Sequence, residues 1–280
     1  MAIRVSLLAR YAVLPQLAGP VFIPVALIAR LPLAMLTIGT LTLASVASGS
    51  YALGGLAAGA VGIGAAIGAP VLGWLADRKG QRNVVLVAGL ANAAAMVAIV
   101  AACYPPGGLR ELAPIPVLAA ALVGGLTTPQ VGPLARARWM ALTEGRPLRE
   151  LERDAAFSYE GTADEATFVL GPALVGALAA FVAPWLPLVV AAVLTAVFVT
   201  AFAIHPTVQA VRPSVSKLTH APTAAGRPAA GQRAGAIVFV PIGAMVAMGA
   251  YFGGTQSALT AFAGGLGAAE AGGCSTPHSV

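Results

Sequence analysis

Long uncharged runs alternate with short charged stretches along the chain. Residues 11–29 are uncharged, Arg30 interrupts, and 31–76 is uncharged again. One membrane crossing takes ~20 apolar residues in a helix. The pattern therefore predicts a first helix over about 21–46 with Arg30 inside it, a small-residue turn at 47–50, and a second helix over about 51–75. An alternative divides this stretch into three spans, 12–29, 31–47 and 51–75, with Pro15, Pro20 and Pro24 weakening the first. A third helix is expected over about 83–103 and ends at Tyr104-Pro-Pro-Gly-Gly108, a strong breaker. A fourth follows over about 114–135. The stretch 136–154, with five arginines and four acids, reads as a polar connection. A fifth helix is expected over about 157–182. A break at Ala183-Pro-Trp-Leu-Pro187 leads to a sixth over about 187–204. Residues 205–234, rich in Pro, Ala and Gly without apolar periodicity, read as a linker. A seventh apolar segment covers 235–262, and 263–280 reads as a short tail.

Composition narrows what this pattern means. The chain has 280 residues, 58% of them apolar and 9% charged. An average soluble domain carries about 25% charge, so a soluble enzyme and a disordered chain are both excluded. The fold class is all-α, a polytopic membrane helix bundle. The net charge of +6 does not point to nucleic acid, because the basic residues sit in short connections between apolar runs. With the amino terminus in the cytoplasm, fourteen of the sixteen basic residues fall on the inner side; the exceptions are Arg30 and Arg110. That asymmetry is the orientation signal of an integral plasma (inner) membrane protein. Cys103 and Cys274 are far apart, and His205, His220 and His278 are scattered, so neither a disulfide framework nor a metal site is predicted. No cleavable signal peptide is read at Arg4 and Arg10, since the apolar pattern runs on past any cleavage site.

Between the second and third helices the chain reads Gly73-Trp-Leu-Ala-Asp77-Arg78-Lys79-Gly80-Gln81-Arg82. Asp77 lies among cations at a helix end, and Gly80 permits a tight turn. The spacing resembles the signature of the major facilitator superfamily, Gly-x-x-x-Asp-(Arg/Lys)-x-Gly-(Arg/Lys)-(Arg/Lys). Gly73, Asp77, Arg78, Gly80 and Arg82 match it, and Gln81 stands where a basic residue is usual. The fifth helix, Phe168-Val-Leu-Gly171-Pro172-Ala-Leu-Val-Gly176, is similar to the Gly-Pro motif of the drug/proton antiporter branch. Gly171 and Gly176 would admit a neighbouring helix, and Pro172 would bend its own.

The resemblance implies a six-helix half, a cytoplasmic linker and the first helix of a second half. It implies a secondary transporter, not an enzyme: proton-coupled export of a small organic solute by alternating access, with protons and lipid as partners and no cofactor. Family members have about twelve spans, so a truncated or frameshifted product is suspected. The readings that compete with transport are an inactive membrane fragment, a half-unit needing a second half-transporter chain, and a channel-like homodimer. In the family the loop aspartate is thought to latch onto the second half, a partner Asp77 would lack.

Ionisable residues at membrane depth are expensive and therefore functional candidates. Arg30 lies in helix one; Glu160, Asp164 and Glu165 lie at similar depth in helix five. The expectation is that Arg30 pairs with Glu165 or Asp164, a carboxylate carrying the coupling proton. The plainer alternative makes Glu160 and Asp164 interfacial and lets Arg30 snorkel. In helix two, Gly55/Gly59 and Gly64/Gly68 have packing spacing. Asn92 and Gln130 could line a cavity, although an amide satisfied between helices is the commoner case. Trp74, Trp139 and Trp185 read as interfacial anchors, and Thr255 and Gln256 as weak substrate contacts. No phosphate-binding Gly-x-x-x-x-Gly-Lys-(Ser/Thr), no His-Glu-x-x-His and no Gly-x-Ser-x-Gly occurs.

Overall fold

A computed structural model describes residues 11–104, 113–211 and most positions between 243 and 262. Arg4, Arg10, Arg110, Gln256, Cys274, most of the expected linker and the tail lie outside the described residues. The chain divides into two units, 1–218 and 219–280. In the second unit the described residues between 243 and 262 are helical and exposed, and the Thr255 hydroxyl donates to Tyr251 O at 2.8 Å.

The first unit is a bundle of helices with no strand among the described residues. Six of its helical segments are long and apolar enough to cross a membrane: Phe22–Ser48, Tyr51–Lys79, Gln81–Cys103, Pro114–Leu142, Arg149–Phe181 and Leu186–Ile204. They are called spans one to six. A short helix, Leu14–Ala18, precedes span one and ends at Gly19, whose φ is +86°. The alternative division with a separate span over 12–29 therefore does not form.

Span one is broken into Phe22–Ile28 and Leu31–Ser48. Pro32 accounts for this break: it offers no N–H, and its ring crowds the carbonyl four residues earlier, at Ile28. Arg30 sits in the break, and its N–H donates to Leu27 O at 3.2 Å. Span four is broken likewise, into Pro114–Leu126 and Val131–Leu142, with Pro129 between. Freed carbonyls in lipid need donors. Gly124 O receives them from Asn92 Nδ2 at 2.7 Å and Thr128 Oγ1 at 2.8 Å. Asn92 is thus a buried strut rather than a cavity amide.

Two boundaries differ from the sequence reading. Span four continues to Leu142 and span five begins at Arg149, so most of 136–154 is helix. Arg136 and Arg138 find partners inside the bundle, so the charges at the end of span four do not end the helix. Span six passes through a π-helical segment, Thr195–Val199, and is followed by a 3-10 helix, Pro206–Ala210, so the start of the expected linker is structured.

The core has two parts. One gathers Leu14, Phe22, Trp139 and Phe202; the Phe22 and Trp139 rings meet edge to face at 5.2 Å. The other gathers Met35, Leu36, Met96, Ile99 and Leu188. Spans two and four approach backbone to backbone. A Cβ on Gly64 or Gly68 would overlap the main chain of Leu122–Leu126, and one on Gly125 that of Val61. Gly55 and Gly59 face open space, so only the second pair of span two serves packing. In span five, a Cβ on Gly171 would run into Ala34, whereas Gly176 touches nothing.

Candidate functional site

Span five presents Glu160, Ala163, Thr167, Gly171 and Val175 to the interior. These positions fall at helical spacing on one face, and the contact of Gly171 with Ala34 sets that face against span one. Asp164 lies beside it and is partly exposed; Glu165 points outward. Span one opens its break at Arg30 opposite this face.

The result is a cluster of four charges. Arg30 Nη2 donates to Glu160 Oε2, and its Nε lies 3.3 Å from Asp164 Oδ1. Arg136, from the Val131–Leu142 segment of span four, donates to Asp164 Oδ2. The indole N–H of Trp139 donates to Glu160 Oε1 at 2.8 Å. Gly132 leaves the room these groups need: a Cβ there would stand 3.3 Å from Asp164 Oδ1 and 3.7 Å from Arg30 Nε. Two cations and two carboxylates cancel. Solvent access is graded: the Glu160 side chain is 0% exposed and Arg30 3%, but Asp164 is 26% and Arg136 42% exposed. Arg30 Nη1 is buried without an acceptor. An isolated charge here would be very costly, and mutual pairing is what makes the cluster tolerable.

The expected pair of Arg30 with Asp164 forms, and that with Glu165 does not. Glu160, for which the plainer alternative was an interfacial acid, is the deepest carboxylate of the cluster. Arg30 does not snorkel. Trp139 is fully buried and is no interfacial anchor; Trp74 and Trp185 are exposed. The site role of Arg136 and Trp139 escaped notice because they fall in a stretch read as a polar connection, with Trp139 taken for an anchor. Their signal was spacing: Gly132, Arg136 and Trp139 share one helical face.

A second polar group ties spans three, four and six together. Arg138 is 0% exposed. Its Nε donates to Gln81 Oε1 at 3.0 Å, and its Nη1 donates to Phe202 O at 2.7 Å and Thr207 Oγ1 at 3.1 Å. Its guanidinium lies 3.8 Å from the Phe202 ring centre. All of these partners are neutral. The Asp77 motif adjoins this knot. Asp77, Arg78, Lys79 and Arg82 are exposed at the ends of spans two and three, with Arg78 stacked over Trp74 at 4.5 Å. Gly80 makes the turn between them at φ +87°. Gly73 and Gln130 help line a cavity of about 140 Å³ between spans two, three and four, otherwise walled by apolar residues such as Val84, Pro133 and Leu134.

Among the described residues, no group of three or more His, Cys, Asp or Glu is placed to hold a metal. Comparison with known proteins gives one family: the model for the Major Facilitator Superfamily matches residues 22–276. No curated protein and no solved structure matches the chain.

Proposed function

The chain belongs to the major facilitator superfamily, whose members move small solutes across membranes, and from that premise we propose a proton-coupled exporter in which the Arg30–Glu160–Asp164–Arg136 cluster carries the proton. The observation that carries this reading is the pairing of a sealed carboxylate with an accessible one, between two arginines on different spans. Glu160 is closed off by Arg30 and Trp139 and serves as the fixed counter-charge. Asp164 is the exchange point. A proton on Asp164 takes the cluster from neutral to a net charge of +1 and releases Arg136, which is free to turn toward the exposed side. A cationic solute is then repelled where it was tolerated before, which couples proton entry to solute release. Exposed Arg78, Lys79 and Arg82, on the amino-terminal side of span three, support an orientation with that end in the cytoplasm of a cell membrane.

Spans two and five support a further part of the reading. Only 22% and 17% of their most apolar windows are buried, against 44–50% for the other spans. These faces, with the outward Glu165, suit a second six-span unit that completes the solute path by rocking against this one.

The test is proton-driven efflux of cationic dyes from vesicles holding the protein, with Asp164→Asn and Glu160→Gln beside the wild type. Asp164→Asn should retain dye exchange down a dye gradient but lose its response to a proton gradient. An Asp164→Asn form that still answers to pH would dispose of the coupling role.

A further inference from the structure

His205 follows the end of span six at Ile204, and its hydrogen bonds fix its protonation state. Ring Nδ1 lies 3.4 Å from the backbone nitrogen of Thr207 and 3.1 Å from the Thr207 hydroxyl. A backbone N–H can only donate, so Nδ1 must accept. The hydroxyl oxygen already accepts from Arg138 Nη1 at 3.1 Å, which directs its own proton at the same nitrogen. The geometry demands a neutral imidazole with its proton on Nε2. Nδ1 also caps the Pro206–Ala210 turn, in which Thr207 is buried and which packs on the Val131–Leu142 segment of span four.

We propose that His205, Thr207 and Arg138 form a proton-operated latch: a bare Nδ1 holds the Pro206–Ala210 turn against span four, and a proton on Nδ1 releases it. The added proton sets Nδ1 as a donor against the Thr207 N–H, which can only donate, and leaves it the Thr207 hydroxyl oxygen, which already accepts from Arg138. It also places a second cation beside Arg138, whose remaining partners are Gln81 Oε1, Phe202 O and the Phe202 ring. The surroundings supply no compensation. Span one contributes the Phe22 ring, 5.3 Å from the imidazole and uncharged. Span three contributes neutral Gln81, with Arg82 exposed next to it in sequence. Span four contributes Arg138. Among the described residues no carboxylate pairs with His205 or Arg138. Burial first, and then the Arg138 charge, hold the His205 pKa below its ordinary 6.5. The turn is thus closed at neutral pH and opens on the acid side. This device is separate from the Arg30 cluster and does not depend on it.

The experiment uses the full chain in lipid nanodiscs from about pH 5 to about pH 8, the range in which histidine charges. Histidine NMR reads the tautomer and pKa of His205. Hydrogen–deuterium exchange reads the peptide over residues 200–211. The latch requires an Nε2–H tautomer that titrates below 6.5, with protection of the turn falling up to about tenfold per pH unit as it does. His205→Asn supplies an uncharged acceptor at the cap and should keep the turn protected in acid. Titration at or above 6.5, protection that ignores the titration, or an equal acid loss in His205→Asn would each overturn the proposal. If His205→Asn fails to fold, the wild-type titration and exchange decide between them.

Discussion

Arg138 on span four holds Gln81 at the head of span three, its Nε donating to Gln81 Oε1 across 3.0 Å. Gln81 is the one departure from the loop signature that the sequence shares with its family, and this contact explains it. Arg138 is a buried cation bonded to neutral groups, so a basic residue at 81 would set like charges together in a dry interior.

A substitution series at 81 follows. Gln81→Ala leaves Arg138 Nε unpaired and should cost about 1–3 kcal/mol. Gln81→Lys should cost more, and Gln81→Glu, which gives Arg138 a counter-charge, should stabilise. Thermal unfolding midpoints in detergent should run Glu, Gln, Ala, Lys from highest to lowest. A lysine form as stable as the glutamate form would contradict the account.

The Arg30–Glu160 pair predicts an asymmetry between breaking and replacing. Arg30→Met alone strands a buried carboxylate and should cost roughly 3–5 kcal/mol. The double replacement Arg30→Met with Glu160→Met should recover much of that loss, since apolar groups suit this interior. Trp139→Phe removes one hydrogen bond to a charge and should cost about 1.5–3 kcal/mol. Unfolding midpoints test all three; single and double replacements of equal cost would show that the two side chains are not energetically coupled.

The glycines of span two separate into two kinds. Gly64→Ala and Gly68→Ala drive a methyl into the backbone of the facing helix and should prevent normal folding. Gly55→Ala and Gly59→Ala meet open space and should be neutral or stabilise by up to ~1 kcal/mol through helix propensity. The folded fraction by size exclusion separates the two outcomes.

Stability should also follow the His205 proton. Its folded pKa is depressed, so the unfolded chain binds the proton more readily. The stabilisation is complete above the ordinary value of 6.5 and is lost as pH falls from there through the folded pKa. The wild-type midpoint should therefore drop in acid relative to His205→Asn. Parallel curves for the two proteins would exclude His205 as the titrating group.

The spans themselves were legible, because hydropathy is a local property and lipid enforces it. The charged site was legible in part. Arg30 and Asp164 stood out as ions at membrane depth. Choosing between Glu160 and Glu165 required knowing which face of span five turns inward, and that is decided by Gly171 meeting Ala34, a contact between distant positions. Arg136, Arg138 and Trp139 were hidden for another reason. Counting charge makes 136–154 a loop, whereas span four runs on to Leu142, where Arg136, Arg138 and Trp139 each have a partner on another span. Tryptophan near a span end suggests an interfacial anchor, yet the Trp139 indole found a carboxylate.

The break at Thr127–Gln130 gives span four two mechanical identities. Its first piece, Pro114–Leu126, is joined to span two through Gly64, Gly68 and Gly125 and acts as a post. Its second piece, Val131–Leu142, is the lever arm, carrying Arg136, Arg138 and Trp139. Pro129 is the fulcrum. One face of the lever grips span five at Asp164 and Glu160, and another grips spans three and six at Gln81, Phe202 and Thr207. Both grips are therefore built on one twelve-residue helical segment, Val131–Leu142.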